Sequence, residues 1–144
     1  MFKDSGLMRA NYLLERALDT ETVRRKVIAN NIANVNVPHF KRSDVNFESE
    51  LKRAIMENNN PDNKLPALME HEKHIPFYKE RDIRDVGIRV NLDYNTTALN
   101  NGNNVDIEKE MVEAAKNLMR YNAFVAGMNH NFRMFKLSMR PMQG

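Results

Sequence analysis

The stretch DIEKEMVEAAKNLMRYNAFVAGMNHNFRMFKLSMR, residues 106–140, decides the fold. Ile107, Met111, Ala114, Leu118, Tyr121, Val125, Met128, Phe132, Phe135 and Met139 follow one another at alternating spacings of four and three. Every position on that line is apolar or aromatic, which is the a/d pattern of a heptad seam. The ends agree with one uninterrupted helix. Asp106 is a good N-cap, and the acids Asp106, Glu108, Glu110 and Glu113 all fall in the first eight residues. Arg133, Lys136 and Arg140 crowd the other end and Pro141 stops it, so the charges complement the helix dipole at both ends. At a rise of about 1.5 Å per residue this rod spans about 50 Å. Met119, Phe124, Ala126, Met134 and Leu137 are apolar but lie off the seam, so a single partner helix leaves them wet. Ala123 and Gly127 add a small surface on which another backbone can approach closely. The pattern predicts a helix touched from several sides.

Working back along the chain, residues 7–35 also read as helix, with neither Pro nor Gly. Leu7, Leu14, Leu18, Ile28 and Ile32 share one side, which Glu21, Arg24 and Arg25 interrupt; Tyr12, Val23 and Val27 form a second line. This helix ends before Pro38, whose ring disfavours the α conformation at Val37. Its partner within the chain is the C-terminal helix, and two helices alone bury a narrow strip, which points to further partners from other chains. Between the two, Phe47, Leu51 and Ile55 predict a short amphipathic helix that ends in the asparagine run before Pro61. Ile88, Val90, Leu92 and Tyr94 alternate with Arg89, Asn91 and Asp93, the period of a half-buried strand. The expected fold is therefore mainly α. Long N- and C-terminal helices, in residues 1–37 and 105–144, form a coiled-coil layer around an extended, partly ordered central insert, residues 38–104, with a short helix and at least one strand.

Composition narrows the function. The 144 residues carry 22 basic and 19 acidic side chains, interspersed, a net charge of +3 too small and too scattered for a nucleic-acid footprint. There are no cysteines, so thiolate chemistry and disulfides are excluded. No run approaches the ~20 apolar residues of a membrane span. The N-terminus lacks the basic start, apolar block and cleavage site of a secretory signal, so the expectation is a protein that stays inside the cell or leaves without a cleaved signal. One cluster could suggest a metal-dependent enzyme: Glu70-His71-Glu72-Lys73-His74. The zinc-protease helix needs histidines four apart, whereas His71 and His74 are three apart in a proline-bounded loop, the pattern of a solvated charged segment. None of the four serines, Ser5, Ser43, Ser49 and Ser138, stands in a nucleophile-elbow context. Catalysis has no visible seat, and no cofactor is implied.

The remaining feature is Ala29-Asn30-Asn31-Ile32-Ala33-Asn34-Val35-Asn36-Val37-Pro38-His39-Phe40-Lys41-Arg42. Asparagine caps explain a helix end there. They do not explain why Asn30, Asn31 and Asn34 occupy the last helical turns, where amide hydrogen bonds to neighbouring subunits offer a reason. This string resembles the signature of the bacterial flagellar rod and hook family, ANNIANVNTPGYKR, departing at Val37, His39 and Phe40. A second block, Asn103 to Met111 continued by Arg120-Tyr121-Asn122-Ala123, looks like the C-terminal block of the family's short proximal-rod members. The resemblance implies a structural subunit of the proximal rod, part of the axial shaft that transmits motor torque. It implies self-association with other rod proteins in a helical assembly, contact with basal-body adaptor and inner-membrane ring proteins, and a place in the periplasm. It also implies export by the flagellar type III apparatus, with Phe47 and Leu51 resembling an export-gate element. The assembly interface then comprises the heptad line from Ile107 to Met139, the stripe Leu7, Leu14, Leu18, Ile28 and Ile32, and the three asparagines. Neither nucleic acid nor a membrane span enters. The rival readings are a neighbouring rod subunit, the His71/His74 enzyme, and a cytoplasmic coiled-coil adaptor.

Overall fold

The structure, a computed structural model, describes residues 6–59, 70–71, 73–74, 86–96 and 100–139. The elements run α1 (Gly6–Ala33), β1 (Ser43–Asn46), α2 (Glu48–Asn59), β2 (Arg89–Leu92) and α3 (Ile107–Ser138). The chain divides into two compact units, one of Met1–Val45 with Asn91–Gly144, the other of Asn46–Val90. The fold is mainly helical, with long terminal helices and a central segment that contains a short helix and a two-stranded sheet, as the sequence pattern predicts.

The first unit is an antiparallel pair of long helices. Their 28 and 32 residues correspond to rods of about 42 and 48 Å. Asp106 caps α3 as expected: its carboxylate accepts from the amides of Glu108 and Lys109 at 3.0 and 3.4 Å. The helix closes at Met139, whose amide donates to the Phe135 carbonyl at 3.1 Å. α1 has neither an acid in its first turn nor a base in its last. Its C-terminal end is finished by Asn34, which returns both its backbone and side-chain amides to the Asn30 carbonyl.

In the second unit, α2 carries Glu48 and Glu50 in its first turn, on the favourable end of the dipole. The unit's small core is Phe47, Ala54 and Val86, with Leu51 and Ile88 packed against it.

One expectation fails here. β2 pairs with β1, yet Val90, Leu92 and Tyr94 are all exposed, and only Ile88 of the alternating set is partly buried. A two-stranded sheet lacks the second layer against which an apolar face is usually buried.

Candidate assembly interface

The surface that α1 and α3 share carries buried polar side chains as well as apolar ones. Glu110, Asn117 and Asn131, seven and fourteen residues apart, lie along the line of α3 that meets α1. Asn117 is 1% exposed. Its amide nitrogen donates to the Glu21 carbonyl at 2.8 Å and to the Glu21 carboxylate at 2.5 Å, and its oxygen accepts from Arg25 Nε at 3.4 Å. The Arg25 guanidinium lies 5.2 Å from the centroid of the Tyr121 ring, within cation–π range. Nearer one end of the pair, Asn131 donates to Asn11 at 2.8 Å. Two of the charged residues that interrupt the α1 stripe, Glu21 and Arg25, are thus docking points for α3. Apolar packing fills between them; Leu14 lies beside Gly127, its methyl carbons 3.8 Å from where a Cβ would stand.

The other end of the pair is closed by a clasp. Glu110, fully buried, accepts from Arg42 Nε and, at 3.1 Å, from the Asn31 amide. Asn31, also fully buried, donates to the Ser43 carbonyl at 2.9 Å and accepts from the Ser43 amide at 3.0 Å. One carboxylate therefore joins α3, the last turns of α1 and the segment leading into β1. Burial draws the Arg42 pKa down, but the hydrogen bond and charge of Glu110, with Asp44 and Asp93, outweigh it and leave the guanidinium above its ordinary value. Charge-assisted bonds of this kind contribute ~1.5–3 kcal/mol each when buried.

Two further asparagines complete the junction. Asn103 shares its amide N–H groups among the carbonyls of Asn34, Val35 and Val37, at 2.9–3.0 Å, satisfying the chain as it leaves α1. Asn104 accepts from the Arg42 amide at 2.6 Å and donates to the Asp93 carbonyl at 2.8 Å. His39 takes a left-handed conformation, φ 60°, and its amide donates to the Asn101 carbonyl. Its ring lies against Gly102, where a Cβ would come within 2.8 Å of Nδ1. The turn that the family signature gives to glycine is thus kept with histidine at position 39.

The anticipated interface residues fall into two groups. Ile28 is buried and Leu7, Leu14, Leu18 and Ile32 are half-buried, as are Ala114, Tyr121, Val125, Met128 and Phe135. Ile107, Met111, Leu118, Phe132 and Met139 are exposed, Leu118 by 52% and Phe132 by 57%. The heptad line thus meets α1 along one edge and stands open along the other. Among the asparagines, Asn30 is exposed and Asn34 bonds locally to Asn30, whereas Asn31 spends its amide inside the chain. Phe47 and Leu51 belong to the core of the second unit. Glu110, Arg42, Asn103 and Asn104, which lie in the two family-like blocks, and Asn117, which lies outside them, were not among the anticipated interface residues, yet they make the hydrogen bonds that join these segments. The seven-residue spacing of Glu110 and Asn117, one step from the apolar line, was the available signal. His71 and His74 are exposed, with ring centroids 6.1 Å apart.

Comparison with known proteins extends this geometry. A family model described as flagella basal body rod protein matches residues 12–41, which cover most of α1 and the turn beyond it. Flagellar basal body rod protein FlgB of Borrelia hermsii is 42% identical over 121 residues, 84% of this chain and 88% of that protein. The FlgB of Borreliella burgdorferi is 37% identical over 87% of this chain and 91% of its own length. That of Bacillus subtilis is 34% identical over 85% and 87%. Among the described residues no helix is long and apolar enough to cross a membrane.

Proposed function

This chain belongs to the FlgB family of flagellar basal body rod proteins and is a structural subunit of that rod, and from that premise we propose that it lies in the proximal rod and passes motor torque along laterally packed helices. It is a basal-body component and associates with other rod components. The observation that carries the finer reading is the open edge of α3. Ile107, Met111, Leu118 and Phe132 are exposed on a helix that is held to its own chain along a different line, through Glu110, Asn117 and Asn131. A monomer gains nothing from an apolar line in water, whereas a tube of helices buries it and is stiff because protein interiors are close-packed.

Partners for that line are further copies of this chain and neighbouring rod subunits, with basal-body adaptor and inner-membrane ring proteins at the end of the shaft. The location is the periplasmic part of the basal body, reached through the flagellar type III apparatus without a cleaved signal. Phe47 and Leu51 can meet an export gate only while the second unit is unfolded, because folding buries Phe47. The work proposed is mechanical and uses no catalytic group.

Leu118→Asp and Phe132→Asp test this reading. Each places a charge on the open line without touching the Glu21–Asn117 or Glu110–Arg42 contacts. The purified variants should keep the wild-type helix content, while cells carrying them lose rod assembly and motility. Full motility in both variants refutes the proposal.

A further inference from the structure

Asn101–Gly102 is the sole Asn–Gly pair among the chain's 20 asparagines. Such a pair cyclises readily, because glycine has no Cβ to shield its nitrogen from the neighbouring amide carbon. Asn101 is exposed, so base and water reach it. Yet the pair is tied down on both sides. The Asn101 side-chain oxygen accepts from the Asn103 amide at 3.1 Å, and its main-chain carbonyl accepts from the His39 amide at 3.1 Å. The Gly102 carbonyl accepts from Lys41 Nζ at 3.0 Å, and the open side of Gly102 faces the His39 ring. Cyclisation needs the bonds at Asn101 Cα to turn until Cγ meets the Gly102 nitrogen, and these ties oppose that rotation.

We propose that Asn101–Gly102 is a latent modification site, held intact while residues 101–103 are docked on the end of α1 and converted to isoaspartate when that junction opens. In the open chain, hydroxide takes the Gly102 amide proton and the nitrogen's electron pair attacks Asn101 Cγ. The N–Cγ bond forms and the Cγ–Nδ2 bond breaks. Nδ2 leaves as ammonia after taking a proton from water, which restores the hydroxide. Water then opens the cyclic imide. Attack at Cγ gives aspartate; attack at the main-chain carbon gives isoaspartate, whose chain runs on through Cβ and Cγ.

The two products act differently on the junction. Aspartate keeps the length of the chain and the oxygen that the Asn103 amide bonds. Isoaspartate lengthens the main chain by one methylene, about 1.5 Å, two residues from Asn103. The Asn103 side chain holds the carbonyls of Asn34, Val35 and Val37 at 2.9–3.0 Å. Such bonds extend only to about 3.2 Å, so a displacement of that size releases the end of α1. A chain left unfolded thereby loses with time the ability to join α1 to α3. The chemistry is independent of the rod assignment.

The test ages the purified full chain at mildly alkaline pH, native and in guanidinium chloride. Trypsin then releases residues 90–109, and fragmentation of that peptide locates the exchange of –NH2 for –OH. An isoaspartate carboxyl methyltransferase with labelled S-adenosylmethionine counts the isoaspartate. Position 101 should convert several-fold faster in the denatured chain than in the native one. After the denaturant is removed, the isoaspartate form should refold with a lower urea midpoint than Asn101→Asp, which carries the same charge on a chain of normal length. Equal rates at position 101 in the native and denatured chains overturn the inference. So does an isoaspartate form whose midpoint equals that of Asn101→Asp.

Discussion

Glu110→Ala probes the clasp at its centre. The substitution removes the acceptor of Arg42 Nε and of the Asn31 amide together and leaves a cavity where a fully buried carboxylate stood. Taking away one member of a buried charged pair costs ~3–5 kcal/mol, because the other charge stays desolvated without its partner. Two details place this case at the low end. The Arg42 side chain keeps 16% of its surface in water, and Asn31 keeps both bonds to Ser43. A loss of about 3 kcal/mol follows, a large share of the ~5–15 kcal/mol that stabilises an ordinary domain. Glu110→Gln offers one acceptor oxygen in place of two and no charge, and should lose ~1–2 kcal/mol.

Urea unfolding of the purified chain, followed by far-ultraviolet circular dichroism, gives both numbers. Hydrogen exchange localises them. The Ser43 amide, held by Asn31, should lose protection in both variants, and the Arg42 amide, held by Asn104, should lose less. If Glu110→Ala no longer unfolds cooperatively, the Gln variant and the exchange pattern carry the comparison. A Glu110→Ala chain within 0.5 kcal/mol (about a factor of 2 in the folding equilibrium) of wild type refutes the reasoning. Equal protection losses at Ser43 and Arg42 refute it as well.

Further outcomes follow from single positions. Gly102→Ala forces a side chain into φ 78° and against the His39 ring, and should lower stability by ~1–2 kcal/mol in thermal unfolding. Gly127→Ala meets Leu14 only at ordinary contact distance, so the better helix propensity should raise stability by ~1 kcal/mol; a lowered melting temperature contradicts this. Asn117→Ala strips the Glu21 carbonyl and carboxylate of a buried donor and should cost ~1–3 kcal/mol, seen as a lower urea midpoint. The Asp93 carboxylate accepts from the Thr96 hydroxyl and the Asn95 amide, which holds its pKa below the ordinary 3.8. A depressed folded pKa stabilises above the unfolded value, and that contribution disappears as pH falls through the folded one. A carboxyl-carbon titration of Asp93 with its midpoint at or above 3.8 contradicts this.

The sequence by itself determined the three helices and both ends of α3, though not β1. α3 was legible because Asp106, the acids behind it and the bases near Lys136 are local signals, read without knowing what the helix touches. The bounds of α2 followed from Phe47, Leu51 and the asparagine run for the same reason. Membership of the rod family rested on a string, residues 29–42, that is also local in the chain.

Tertiary structure alone decided which way α3 turns. Apolar periodicity marked the line of Leu118 and Phe132 as a packing seam without saying what covers it, yet the helix presents Glu110, Asn117 and Asn131 to α1 and leaves part of that line in water. A buried Asn or Glu is favourable only when partners meet it, and these partners lie 68 to 120 residues away in the chain. No window of sequence contains such a pairing. The same holds for Asn103, a turn residue by composition, which satisfies three carbonyls at the end of a helix 70 positions earlier. The sequence therefore carried the apolar line and the family, while the fold set polar contacts between the two helices and left one edge of the apolar line exposed.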